Sequence, residues 1–138
     1  MMLNVNLSYL IFYVKDVAAT ADFYEKAFCL KKRVVDPGGG YIEMDSGMVK
    51  LAFVSEDLAK EHNPSGFKPN RLERDPPGME IVLVTDKLEE MYEQAINAGA
   101  KDVKGPEKKP WGQSVAYVRD PNGIIIELAG ASQTVINH

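Results

Sequence analysis

Two stretches of this chain run through the same order of elements, and that repetition limits the fold more than any other feature. Leu7 to Val14 is β-branched and aromatic, without proline or glycine, and reads as a strand. Asp16 then caps a helix whose apolar positions Val17, Ala21, Tyr24 and Phe28 recur at helical spacing. Three short strands follow, Lys31 to Val35, Tyr41 to Asp45 and Met48 to Val54, parted by Asp36-Pro37-Gly38-Gly39-Gly40 and by Ser46-Gly47. The second half repeats the pattern. Glu80 to Thr85 is a strand, and Asp86 with Glu89 three residues on sets a capping box for a helix bearing Leu88, Met91, Tyr92 and Ala95. Gly99 stops that helix, and strands near Asp102 to Lys104, Ser114 to Val118 and Ile124 to Leu128 complete the module.

A duplicated βαβββ unit predicts an α+β fold. Neither half can bury its sheet face alone, so the two modules are expected to form a curved mixed sheet around a cavity, with helices on the outer face. The organisation expected is one domain over residues 1–138, with modules at about 7–54 and 79–129. Between them, Ser55 to Gly78 carries four prolines and many charges and reads as a linker or a loop over a pocket, with a short helix from Glu56 to Glu61.

Composition narrows the function by exclusion. Sixteen basic residues against 20 acidic ones give a net charge of −4, which argues against a nucleic-acid partner. No apolar run approaches the roughly 20 residues that cross a bilayer, and the start, Met1-Met2-Leu3-Asn4-Val5, lacks the pattern of a signal peptide. Cys29 is the only cysteine, which fits a reducing cytoplasm. Within Ala27-Phe28-Cys29-Leu30 it reads as a buried, inert thiol. His62 falls in a polar loop and His138 at the end, which leaves no histidine-rich metal site.

The chemistry centres on glutamates in oily strands. Glu127 stands in Ile124-Ile125-Ile126-Glu127-Leu128 and Glu80 in Met79-Glu80-Ile81-Val82-Leu83-Val84. A carboxylate in such a run needs a cation, a set of donors or a wet cavity. The triple glycine Gly38-Gly39-Gly40 has no following helix and no Lys-Ser/Thr, so it is a turn and not a phosphate loop.

Three stretches carry a family resemblance over about Leu7 to Leu128. They are Tyr9-Leu10-Ile11-Phe12-Tyr13-Val14-Lys15-Asp16-Val17 with Phe23-Tyr24, then Glu80 to Val84 with Asp86 and Ala98-Gly99-Ala100, then Pro110-Trp111-Gly112-Gln113 with Asp120-Pro121-Asn122-Gly123 through Glu127-Leu128. In this order they resemble the vicinal oxygen chelate superfamily of glyoxalases, bleomycin-resistance proteins, extradiol dioxygenases and fosfomycin-resistance enzymes. The resemblance implies four ligand positions, which fall here on Tyr9, Lys50, Glu80 and Glu127. A phenol with a reference pKa of ~10 is a poor metal ligand at neutral pH, and an ammonium repels a cation. No cofactor is therefore expected, and Glu80 and Glu127 would be the ligands of any divalent metal that did bind.

If those four side chains converge, Lys50 supplies the charge that a metal supplies in relatives, and Tyr9 donates to a carboxylate. The cluster then either fills an old metal site or forms the polar end of a ligand pocket; a third use makes one glutamate a general base. Strand alternation adds Ile11, Tyr13, Ala52, Val82 and Ile125 to the lining. Trp111 either faces a flat ligand or clamps its loop, while Phe53, Phe67, Arg71 and Arg74 are weaker candidates. The function expected is metal-independent binding of a small organic molecule, with drug sequestration as one form of it and a metal-dependent lyase, isomerase or dioxygenase as the alternative. A homodimer is implied by the resemblance alone.

Overall fold

The computed structural model describes residues 3–130; Met1, Met2 and His138 lie outside the described residues. The order of elements is β1 (Tyr9–Val14), α1 (Val17–Phe28), β2 (Lys31–Val35), β3 (Tyr41–Asp45), β4 (Lys50–Ser55), α2 (Glu56–His62), β5 (Glu80–Thr85), α3 (Leu88–Asn97), β6 (Lys101–Lys108), β7 (Ser114–Arg119) and β8 (Ile125–Gly130). The fold is α+β, built from two βαβββ modules with a mixed four-stranded sheet each. The strand orders are β1-β4-β3-β2 and β5-β8-β7-β6. In each sheet the first strand runs parallel to the last of its module and the other neighbours are antiparallel. The chain divides into two compact units: Leu30–Pro69 with the chain up to Glu25, and the chain from Asn70 onward with Lys26–Cys29. None of the helices among the described residues is long and apolar enough to cross a membrane.

In the first unit, alternation splits the sheet into two faces. Phe12 and Val14 of β1, Ile42 and Met44 of β3, and Leu51 and Phe53 of β4 are buried on one. Helix α1 covers that face with Val17, Ala21 and Tyr24, all buried, and the Tyr24 and Phe53 rings lie 5.0 Å apart. Asp16 starts the helix as its sequence indicates, Oδ1 accepting the Ala19 N–H at 2.9 Å. The opposite face carries Tyr9, Ile11 and Tyr13 in register with Lys50, Ala52 and Val54. This face is the one left for function.

The second unit is pinned by the turn between β7 and β8. Buried Asp120 accepts the N–H groups of Asn122 at 2.8 Å and Ile124 at 2.9 Å. Buried Arg119 donates Nε to the Gly123 carbonyl at 2.9 Å and Nη2 to the Arg74 carbonyl at 2.6 Å, tying the incoming loop to the turn. Gly123 is required there: its φ is +89°, and a Cβ would lie 2.7 Å from the Arg71 carbonyl oxygen.

Several expectations from sequence are corrected. Asp86 does not cap α3: Lys87 occupies the N-cap position and makes no side-chain capping bond, while Thr85 Oγ1 accepts the Lys87 N–H at 3.1 Å. Strand β6 runs on to Lys108, because its pairing with β7 resumes beyond a register shift after Lys104. Cys29 is exposed, since the chain turns left-handed at φ +60° directly after α1 and swings the thiol off the apolar face. Glu80 is exposed too, because β5 is an edge strand and alternation puts Glu80, Val82 and Val84 on its open face.

The turn gives a prediction. Replacing Gly123 by Ala forces a left-handed residue against backbone and lowers unfolding free energy by about 2 kcal/mol or more. Urea denaturation followed by circular dichroism measures it. Replacing Gly39, which has φ +80° but open space around its Cβ, costs about 1 kcal/mol and serves as the control.

Candidate functional site

The first unit contains a cavity of about 400 Å³ on the free face of its sheet. Ile11 and Tyr13 of β1, Tyr41 of β3 and Val54 of β4 form its floor, and Leu58, Ala59 and His62 of α2 form its wall. The helix stands there for local reasons. Ser55 caps it, Oγ accepting the Leu58 N–H at 3.2 Å, and Glu56 and Asp57 complement the positive end of its first turn. Gly40 lets it approach: a Cβ at that position would run into the Leu58 side chain. Beyond α2, Phe67 packs edge-on against Tyr13 with ring centroids 4.8 Å apart. The stretch between the modules is thus one wall of a cavity, and His62 is a lining residue on a helix instead of a loop histidine.

Along the same face runs a polar network that was not singled out from the sequence. Glu43 is buried in β3 between Ile42 and Met44. Arg33 Nη1 reaches its Oε1 at 2.7 Å, and the Tyr41 hydroxyl donates to its Oε2 at 2.9 Å. Burial first, and then the hydrogen bond and charge of Glu43, push the Tyr41 phenol up to about 12 from 10.0; Tyr9 contributes in the same direction. Tyr41 therefore remains a neutral hydrogen-bond donor to Glu43 well above physiological pH. The signal was present: Tyr41-Ile42-Glu43-Met44 sets a glutamate in an apolar strand, as Glu127 is set.

The sequence-predicted residues divide between the units. In the first, Ile11 and Tyr13 line the cavity, and Tyr9 lies close enough to Tyr41 to act on it electrostatically. Ala52 is fully buried in the centre of the sheet. Lys50 turns toward the β3–β4 connection, where its ammonium donates to the Gly47 carbonyl and sits 3.8 Å from Asp45. In the second, Glu80 pairs with Ile125 and Val82 with Glu127. Buried Glu127 accepts the Tyr117 hydroxyl at 3.2 Å through Oε1, while Oε2 meets no hydrogen-bond donor among the described residues. The Tyr117 phenol is raised by burial, then by the charge and hydrogen bond of Glu127, then by the charge of Glu80. Trp111 is about half-exposed in its turn and donates Nε1 to Gln113 Oε1 at 3.3 Å. Phe53 is core, and Arg74 offers its carbonyl to Arg119.

The module repeat also fixes which positions correspond. Glu127 lies opposite Val82 in the parallel pair of the second sheet, and Ala52 lies opposite Ile11 in the parallel pair of the first. Lys50 corresponds instead to Ile125. By the repeat, then, the place that Glu127 takes in one module is taken in the other by a residue with no donor at all. Among the described residues no group of three His, Cys, Asp or Glu side chains is placed to hold a metal ion.

The comparisons agree with this architecture. Residues 6–128 match the family model of the Glyoxalase/Bleomycin resistance protein/Dioxygenase superfamily. An uncharacterized protein of Mycobacterium bovis is 30% identical over 115 residues, covering 80% of this chain and 73% of that protein. A glyoxalase-related enzyme from Fulvimarina pelagi superposes with a TM-score of 0.79 at 20% identity, over 91% of this chain and 88% of its own. TioX from Micromonospora sp. ML1 superposes with a TM-score of 0.68 at 16% identity, over 91% and 98%. At such identities the structural matches establish the fold alone. The chain belongs to the glyoxalase/bleomycin resistance protein/dioxygenase superfamily.

The Glu43 network sets a titration. Because the folded Tyr41 pKa is raised, the stability it contributes is full below pH 10 and is lost as pH climbs toward about 12. Ultraviolet absorbance of phenolate should show Tyr41 ionising near that upper limit, and Glu43→Gln should move it down toward the ordinary value. Arg33→Met leaves a buried carboxylate with one donor fewer and destabilises the fold by about 1–2 kcal/mol in urea titrations, a range discounted for the half-exposed guanidinium.

Proposed function

We propose that this protein binds a small organic molecule in the cavity of its first unit, without a metal ion. One observation carries the reading: a cavity of about 400 Å³ with a mostly apolar lining and few polar groups. That volume falls within the roughly 300–1,000 Å³ of small-molecule sites, and the mix of apolar wall and sparse polar groups is their usual composition. Ile11 and Tyr13, with the Phe67 ring behind Tyr13, offer surface to a planar or bulky apolar body. Sequestration of a drug-like compound, the role named in one branch of the superfamily, is the form of binding that needs no reacting group in the cavity.

A second reading draws on Glu127. A buried carboxylate oxygen without a donor is costly, and a bound cation or hydroxyl group would satisfy it. That favours a lyase, isomerase or dioxygenase which recruits a metal through Glu127 and Glu80, the altered-ligand alternative. The two readings separate cleanly. On the binding reading, elemental analysis of the purified protein finds metal well below one ion per chain, and ligand-observed NMR against an aromatic fragment set finds binders that Ile11→Trp weakens about tenfold or more. Ile11 is half-exposed, so the larger ring enters the cavity without disturbing the core. A stoichiometric metal lost on Glu127→Gln, with fragment binding untouched by Ile11→Trp, reverses the assignment.

A further inference from the structure

Tyr41 lies in the floor of the cavity, and its hydroxyl hydrogen is already spoken for. A phenol has one hydrogen to give and lone pairs to receive with. Here the hydrogen goes to Glu43 Oε2 at 2.9 Å, and Glu43 is fixed in turn by Arg33 at 2.7 Å on its other oxygen. A carboxylate paired with a guanidinium offers nothing but acceptors, so Tyr41 cannot reverse the bond and receive from it. What Tyr41 keeps for a ligand is an acceptor.

We propose that the cavity selects ligands which bring a hydrogen-bond donor, a phenolic or alcoholic O–H or an amine or amide N–H, to the Tyr41 oxygen, and discriminates against isosteres bearing an acceptor or nothing there. This rests on the reading that the cavity holds an organic ligand, and it names the chemical class of that ligand. Tyr41 is the contact; Glu43 and Arg33 are positioning residues that fix the direction of its hydrogen bond. The neutrality of the phenol up to about pH 12 keeps the acceptor present, and unchanged in character, throughout the physiological range. Ile11, Val54 and Leu58 provide no competing polar group, whereas Tyr13 and His62 carry polar atoms of their own. Any test must therefore isolate Tyr41 from those two.

Two matched probe pairs do so: indole with N-methylindole, and para-cresol with para-methoxytoluene. Each is titrated into the full chain by ligand-observed NMR, and Tyr41→Phe, which keeps the ring and removes the acceptor, sets the baseline for the extra methyl group. The wild type should prefer the donor-bearing member of each pair by about tenfold over the ratio seen in Tyr41→Phe, the scale of one hydrogen bond in a partly desolvated site. In Glu43→Gln the carboxamide can donate to Tyr41 and release its hydrogen, so the preference should shrink, while the Tyr41 titration shifts down in the same variant. A merely structural Glu43 would weaken both members of a pair alike and leave the ratio unchanged. Equal binding of both members to the wild type overturns this inference and leaves the cavity reading standing, as does a preference that survives in Tyr41→Phe. Failure of every probe and fragment to bind takes both down together.

Discussion

A buried carboxylate held by two donors governs the chemistry of the first unit. Glu43 lies between two fully packed neighbours, Ile42 and Met44, and its position is tolerable because Arg33 and Tyr41 each give it a hydrogen bond. Those bonds in turn fix a rotamer of Tyr41 at the cavity and a path for Arg33 across β2. Removing either partner leaves a buried charge under-satisfied, which costs more than the bond itself contributes. The polar character of the cavity is therefore set from the same sheet face, by Glu43 and Arg33, which do not line it.

The two modules share a plan and differ in chemistry. Each sheet buries one face and leaves the other for polar groups, and each places a tyrosine hydroxyl on a buried glutamate. In the first unit the pair is Tyr41 with Glu43, both on β3. In the second it is Tyr117 with Glu127, across β7 and β8. The first carboxylate is matched by a guanidinium; the second keeps a bare oxygen among the described residues. Lys50, which the family resemblance puts at a ligand position, spends its ammonium on the Gly47 carbonyl beside Asp45. Register assigns the corresponding position to Ala52, a side chain that cannot ligate. The two modules thus share strand order and register while their polar side chains differ.

Much of the fold was legible because strands and helices advertise themselves through period. Tyr41–Asp45, Lys31–Val35 and Glu80–Thr85 coincide with their apolar or β-branched runs, and Asp16 capped α1 as its position implies. Where the sequence misled, the missing information was tertiary. Glu80 reads like Glu127 in isolation, but one lies on an edge strand and the other beside two neighbours. Cys29 sits in an apolar run, yet a single left-handed residue turns it outward. Asp86 and Glu89 have capping-box spacing, but α3 begins one residue too late for Asp86 to reach its amides. Of the site, the strand residues Ile11 and Tyr13 followed from alternation. Leu58, Ala59 and His62 did not, since nothing local says on which sheet face a connecting helix will settle. Glu43 was readable by the same rule that exposed Glu127.

The central claim is that the free face of the first sheet, closed by α2, is where a small molecule binds. Chemical-shift mapping on isotope-labelled protein, titrated with the tightest aromatic fragment, addresses it without presupposing the natural ligand. Saturable shifts are expected at Ile11, Tyr13, Tyr41, Val54, Leu58, Ala59 and His62, with the Arg33 side chain responding through Glu43. Shifts confined to the strand residues around Glu80, Tyr117 and Glu127, with the α2 amides unmoved, would contradict it.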